Sequence, residues 1–179
     1  MGAIGNGLEL LELSQNAQGP ELDLISQSIA SATARLRFYR IAFGTVSADQ
    51  QMSLGETLSV LTGLSKVQKQ NFHWETTADL SRQQVKLLFL LLMCLESALP
   101  WGGDIQVRDA GDAIEMRAAA DRLKIDDGLW SALADSLPCA SMSSAKVQFA
   151  AATAELAAQN ARLTIEEEAS GLRLIIAFS

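Results

Sequence analysis

Between Leu22 and Phe43 the residues Leu22, Ile25, Ile29, Ala32, Leu36, Tyr39 and Phe43 recur at alternating steps of three and four, and this repeat constrains the fold more than any other feature of the chain. It is the a/d stripe of a coiled coil or helical bundle and predicts a helix over 21–43. A shorter repeat, Ile4, Leu8 and Leu11, predicts a helix over 3–14, and the polar segment Ser14-Gln-Asn-Ala-Gln-Gly-Pro20 between them reads as a turn whose proline suits a helix entry. Two helices cannot cover both of their own stripes, so the hairpin needs either the rest of the chain or a second copy of itself. A dimeric four-helix bundle is the economical solution, with Leu22, Ile25, Ile29, Leu36 and Tyr39 at the interface. Residues 1–44 are accordingly expected to be a dimerising helical hairpin.

After a linker at 45–51 the texture changes to alternating helices and strands. The patterns predict helix 53–68, strand 71–76, helix 81–99, strands 104–109 and 113–120, helices near 127–136 and 143–159, and strands 161–167 and 172–178. Gly102-Gly103 and Ala169-Ser170-Gly171 supply turns. The sum is an α+β chain: the hairpin, then an α/β sandwich over 52–179 with helices on one face of a mixed sheet.

The chain has 179 residues, a net charge of −7 and no long basic run, which leaves no electrostatic footprint for nucleic acid. The longest apolar run, Val85 to Leu95 broken only by Lys86, is too short to cross a bilayer and lacks signal-peptide flanks, so a soluble cytoplasmic protein is expected. Cys94 and Cys139 form neither a metal spacing nor a disulfide framework and read as buried, inert thiols in a reducing compartment.

Three stretches carry a resemblance that covers nearly the whole chain. They are Gly2-Ala-Ile-Gly-Asn-Gly-Leu-Glu-Leu-Leu11, Ser31-Ala-Thr-Ala-Arg-Leu-Arg-Phe-Tyr-Arg-Ile-Ala-Phe-Gly44 and Ala98-Leu-Pro-Trp-Gly-Gly103. The first two are similar to the two hairpin helices of the alphaproteobacterial histidine phosphotransferase ChpT family. The third belongs to Cys94-Leu-Glu-Ser-Ala-Leu-Pro-Trp-Gly-Gly103, which looks like the histidine-kinase segment Asn-Ala-x-x-Ala-x-Pro-x-Gly-Gly. In kinases that Asn ligates the nucleotide-bound magnesium; here Cys94 replaces it, and a thiol suits magnesium poorly. A kinase would also carry Asp-x-Gly-x-Gly where Asp121-Arg-Leu-Lys-Ile125 stands, with Leu123 and Ile125 in place of glycines, and a glycine-rich phosphate lid where Ser141-Met-Ser-Ser-Ala-Lys146 stands. The resemblance therefore implies a degenerate, kinase-like ATPase-type sandwich that binds no nucleotide, no metal and no ATP.

It implies, too, a phosphotransferase that relays a phosphoryl group from the receiver domain of a hybrid histidine kinase to the Asp of response regulators such as CtrA or CpdR, with Mg²⁺ carried by the partner receiver. The family's His-Asp-Leu-x-x-Pro, whose His accepts the phosphoryl group, would precede Met1. The chain is expected to begin inside that helix, short of its nucleophile, so none of its residues is assigned a catalytic role. The alternative is a noncatalytic dimeric module that docks receiver domains.

Extending the first helix backwards at about 100° per residue places Gly2, Asn6, Glu9 and Leu13 on the face of the missing His, where a receiver would dock. In an antiparallel hairpin Arg37 and Arg40 lie level with it. They either stabilise a phosphoryl group or pair with receiver carboxylates, or they complement the dipole at a helix C-terminus. The only His, His73, falls in Asn71-Phe-His-Trp-Glu75, where alternation sets it with Glu75 on the strand face opposite Phe72 and Trp74, away from any relay role. Trp101 and Trp130 read as packing residues, and Glu166-Glu-Glu168 as a solvated strand edge.

Overall fold

The computed structural model describes residues 20–47, 49–65, 69–77, 79–137 and 144–178. The expected helix at 3–14, with Gly2, Asn6, Glu9 and Leu13, lies outside the described residues, as do Cys139 and 141–143. Helix α1 spans Pro20–Ala42, α2 Leu54–Ser65, α3 Arg82–Ala98, α4 Asp127–Ala134 and α5 Val147–Ala158, the last preceded by a 3₁₀ turn at Ser144–Lys146. The strands are β1 (Gln51–Met52), β2 (Gln70–Glu75), β3 (Leu80–Ser81), β4 (Gly103–Ala110), β5 (Ala113–Ala119), β6 (Arg162–Glu168) and β7 (Gly171–Ala177). Each helix and long strand predicted between 21 and 178 is present with ends shifted by a few residues; the two-residue strands β1 and β3, too short for a period, were not predicted.

The main sheet has the order β2-β4-β5-β7-β6, with β2 parallel to β4 and every other pair antiparallel. Alternation along the strands sends Trp74, Ile105, Val107, Ile114, Met116, Ala118, Leu172, Leu174 and Ile176 into the core. The other face carries His73, Glu75, Gln106, Arg108, Glu115, Arg117 and Arg173 together with Ile175 and several alanines, and no described helix packs on it. Helix α3 is apolar nearly all round and almost wholly buried between the sheet and the remaining helices, as a helix without a polar face must be. Its start is set by a capping box in which the Ser81 hydroxyl accepts from the Gln84 amide at 3.1 Å while the Gln84 side chain accepts from the Ser81 amide at 2.9 Å. The β1–β3 pair has a local purpose: it brings the Asp79 carboxylate to accept from the Leu54 amide at 2.8 Å, where α2 begins.

Helix α1 does not stand apart from the sandwich. Ala34, Phe38, Ile41 and Ala42 are buried against α2 and α3, and a column of rings ties helix to sheet, Phe38 stacking on Phe89 at 4.6 Å and Phe89 meeting Trp74 edge-on at 6.1 Å. Gly63 on α2 permits this approach, because a Cβ there would lie 3.0 Å from that of Ala34. The face of α1 that packs within the chain is thus not the a/d stripe but its opposite, at about 100° per residue. Of the stripe, Ile25, Leu36, Tyr39 and Phe43 are exposed, and Leu22 and Ile29 are half-buried.

Candidate functional site

Three places bear on function: the outward face of α1, the end of α3 with the 121–125 segment, and the polar face of the sheet. On α1, Arg37 and Arg40 are exposed, one helical step of three apart and flanking the uncovered apolar stripe. The sandwich occupies the other side of the helix. Apolar anchors rimmed by arginines compose a surface suited to a partner protein with acidic groups. Tyr39 contacts both Phe38 and Phe43 through ring edges at 6.0 and 6.3 Å, which fixes an aromatic step beside the arginines.

Cys94 is fully buried inside α3. Burial pushes its thiol well above the ordinary range, with the charge of Lys146 a lesser opposing influence, so it is a neutral core group. Leu123 and Ile125 pack against the same core. The Lys124 amide donates to the Ala98 carbonyl at 2.9 Å and holds the 121–125 segment on the end of α3. Side chains and backbone together close the 121–125 segment against the end of α3.

Beside this closed region lies an open groove of about 410 Å³ lined by Lys69, Trp101, Gly102, Asp104, Ala119 and Arg122 among others. Its wall is the turn after Pro100, where the Gly102 amide donates to the Leu99 carbonyl at 3.0 Å. Gly103 has a φ of 147°, and a Cβ on it would meet the Ala119 carbonyl oxygen at 2.5 Å, so this turn requires glycine. Trp101 is 54 % exposed with the Arg122 guanidinium 4.6 Å above its ring, against the expectation that it packs; a tip between proline and two glycines has no second layer to bury it. Trp130, by contrast, is buried edge-on to Phe149.

His73 lies on the polar face of the sheet with Glu75, as alternation requires, its Nε2 3.4 Å from an Asp104 oxygen that also accepts from Asn71 at 3.0 Å. The sheet separates it from α1. Across the same face runs an ion-pair network that sequence reading missed: Glu115, 2 % exposed, is held by Arg108 and by Arg173, each with a nitrogen 2.6 Å away, and Arg173 reaches on to Glu166 at 2.9 Å. Glu168 pairs with Arg117 of β5 at 2.7 Å across β7, so two of the three acids at 166–168 are pinned by arginines of other strands and not simply solvated. The charged residues Arg108, Glu115, Arg117, Glu166, Glu168 and Arg173, scattered over four strands, were the available signal, but the register that aligns them was not in the sequence.

A family model described as the histidine phosphotransferase C-terminal domain matches residues 54–171. Over 119 residues, 65 % of this chain, the sequence is 40 % identical to the protein phosphotransferase ChpT of Brucella abortus, and it spans 56 % of that relative's length. A solved structure of a bacterial phosphotransferase superposes with a TM-score of 0.74 at 29 % identity, covering 98 % of this chain and 86 % of the other. The histidine kinase domain of a blue-light activated kinase from Erythrobacter litoralis superposes at 0.53 with 12 % identity, over 99 % of this chain and 95 % of the other, a likeness of fold alone.

Proposed function

Because the chain belongs to the histidine phosphotransferase family, we propose that it serves a phosphorelay, passing a phosphoryl group from the receiver domain of a hybrid histidine kinase to response regulators. The observation that carries this reading is α1: one face is seated on the sandwich while the opposite face leaves an apolar stripe open and Arg37 and Arg40 exposed. In such a relay the phosphorus leaves an aspartyl oxygen for an imidazole nitrogen, the P–O bond breaking as the N–P bond forms, and returns to a second Asp in reverse. The receiver brings its own acidic pocket and Mg²⁺, so the phosphotransferase supplies position and a docking face. Gly2, Asn6, Glu9 and Leu13 complete that face together with Arg37 and Arg40. Leu22, Ile25, Ile29, Leu36 and Tyr39 join two copies into a four-helix bundle, and the protein acts in the cytoplasm. No helix among the described residues is long and apolar enough to cross a membrane.

The resemblance puts the phospho-accepting His ahead of Met1, and His73 is on the far side of the sheet from the docking face. That placement favours a second reading for residues 1–179 as they stand, a dimer that binds receivers without accepting phosphate. Incubation with a phosphorylated receiver domain decides the matter. Residues 1–179 gain no acid-labile phosphate; the chain extended by His-Asp-Leu-x-x-Pro gains it and loses it again when that His becomes Ala, while both forms bind the receiver. Acid-labile phosphate on residues 1–179 that disappears in His73→Ala overturns the placement of the site.

A further inference from the structure

Helix α1 holds a concentration of positive charge that nothing within the chain accounts for. No Asp or Glu occurs between Asp23 and Asp49, and in that stretch stand Arg35, Arg37 and Arg40, in a chain with 21 acids against 14 cations. All three are exposed and none forms an ion pair among the described residues, whereas Arg82, Lys86, Arg108, Arg117 and Arg173 are each committed to a carboxylate.

Arg35 is the informative member. Its neighbours one turn away along the helix are Ser31, Ala32, Phe38 and Tyr39, so it takes part in no helical charge pair. It stands well before the end of α1 at Ala42, out of reach of the helix dipole, which acts within the last turn and accounts for Arg40 alone. At about 100° per residue it leaves the helix on the flank of the apolar stripe opposite Arg37, roughly 160° around from it. A partner seated on Arg37 and Arg40 therefore does not touch Arg35.

The three charges are nonetheless close. Arg35 and Arg40 are about 7.5 Å apart along the axis at a rise of 1.5 Å per residue, less than the screening length of about 8 Å at physiological salt. To a charge approaching through solvent they act as one pole, on a molecule whose net charge is −7. An oppositely charged protein is drawn to such a pole before contact forms, which raises the association rate and leaves dissociation to the contacts themselves. The pole covers two helical turns and is hemmed in by a negative molecule. It suits a partner whose acids converge in one pocket, as a receiver's do, and not an extended polyanion.

We propose, resting on the relay reading above, that Arg35 together with Arg37 and Arg40 steers the acidic pocket of a receiver domain onto α1, Arg35 setting the rate at which the receiver is found and not the lifetime of the complex.

Stopped-flow mixing of residues 1–179 with a fluorescently labelled receiver domain of a response regulator tests this, at salt concentrations on either side of about 0.1 M, where the screening length is about 10 Å. The wild-type association rate should fall as salt rises. Arg35→Gln should lower it about threefold at low salt and Arg35→Glu about tenfold, both gaps closing towards 1 M, roughly, where screening reaches about 3 Å. The dissociation rate should stay unchanged, the melting temperature likewise because Arg35 is exposed, and Arg35→Lys should behave as wild type. Arg162→Gln, which neutralises an exposed arginine on β6, should leave the association rate near wild type. A wild-type rate independent of salt, an equal loss from Arg162→Gln, or an effect of Arg35→Gln on dissociation alone would each overturn the proposal. So would binding to phosphatidylserine vesicles that is lost in Arg35→Glu, which would make a membrane the partner of this pole. Receiver binding without these rate effects refutes the steering alone; no receiver binding by the wild type at any salt refutes the relay reading and the steering with it.

Discussion

Glu115 is a carboxylate almost removed from water on a sheet face that no helix among the described residues covers. Burial alone would raise its pKa, but the hydrogen bonds from Arg173 and Arg108, with their charges, outweigh this and hold it below the ordinary carboxylate value of 4.5. A folded-state pKa below the unfolded one stabilises the fold at neutral pH, and the contribution is lost as pH falls from that ordinary value through the folded one. Glu115→Gln removes the anion and leaves two arginines that water can reach, so the cost stays nearer that of a charged hydrogen bond, about 2 kcal/mol, than the 3–5 kcal/mol of a fully buried orphan charge. The expected result is a lower melting temperature at pH 7 and a gap between wild type and variant that closes as pH falls from the ordinary carboxylate value of 4.5 through the lower folded one. A gap that stays constant with pH would show that the loss is one of packing.

Among the elements, α3 decides what the sandwich does. Cys94 is fully buried in it, Leu123 and Ile125 pack partly buried against the same core, and the Lys124–Ala98 hydrogen bond holds the 121–125 segment on its end. Calorimetric titration with Mg-ATP is therefore expected to show no saturable binding tighter than about 100 μM. Cys94→Asn should not restore it, because the amide would be buried without a path to ligand. A signal from either protein would mean that the closed region opens. The helices and strands were legible because their periods are long and clean, and the α3 segment announced its burial by having no polar face. Three features were not legible. The pair β1–β3 is too short to have a period, the Glu115 network depends on cross-strand register, and α1 carries a second buried stripe, Ala34, Phe38, Ile41 and Ala42, that is less apolar than the heptad opposite and is hidden by it. Of the site, Arg37 and Arg40 could be placed from helical spacing, while the exposure of Trp101 follows from a turn whose shape only Gly102 and Gly103 in place reveal.

For the whole molecule the open question that α1 poses is what covers its heptad. Ile25 is 50 % exposed and Leu36 41 %, and with Tyr39 and Phe43 they are apolar positions of the stripe left in water, while Leu22 and Ile29 are half-buried. With two copies in a four-helix bundle, the chain should sediment as a dimer at micromolar concentration. Ile29→Asp or Leu36→Asp should make it monomeric without unfolding the sandwich, since a carboxylate at the seam has no partner there but can be solvated in the monomer. A wild-type monomer at that concentration would rule out the bundle.

The 23-residue α1 is continuous, yet only its C-terminal half is fastened to the core. Amide protons along one unbroken helix should consequently exchange on two different clocks, those near 34–42 only when the sandwich itself opens and those near 22–30 by local opening of the helix. Association of two copies would slow the second clock and leave the first where it was.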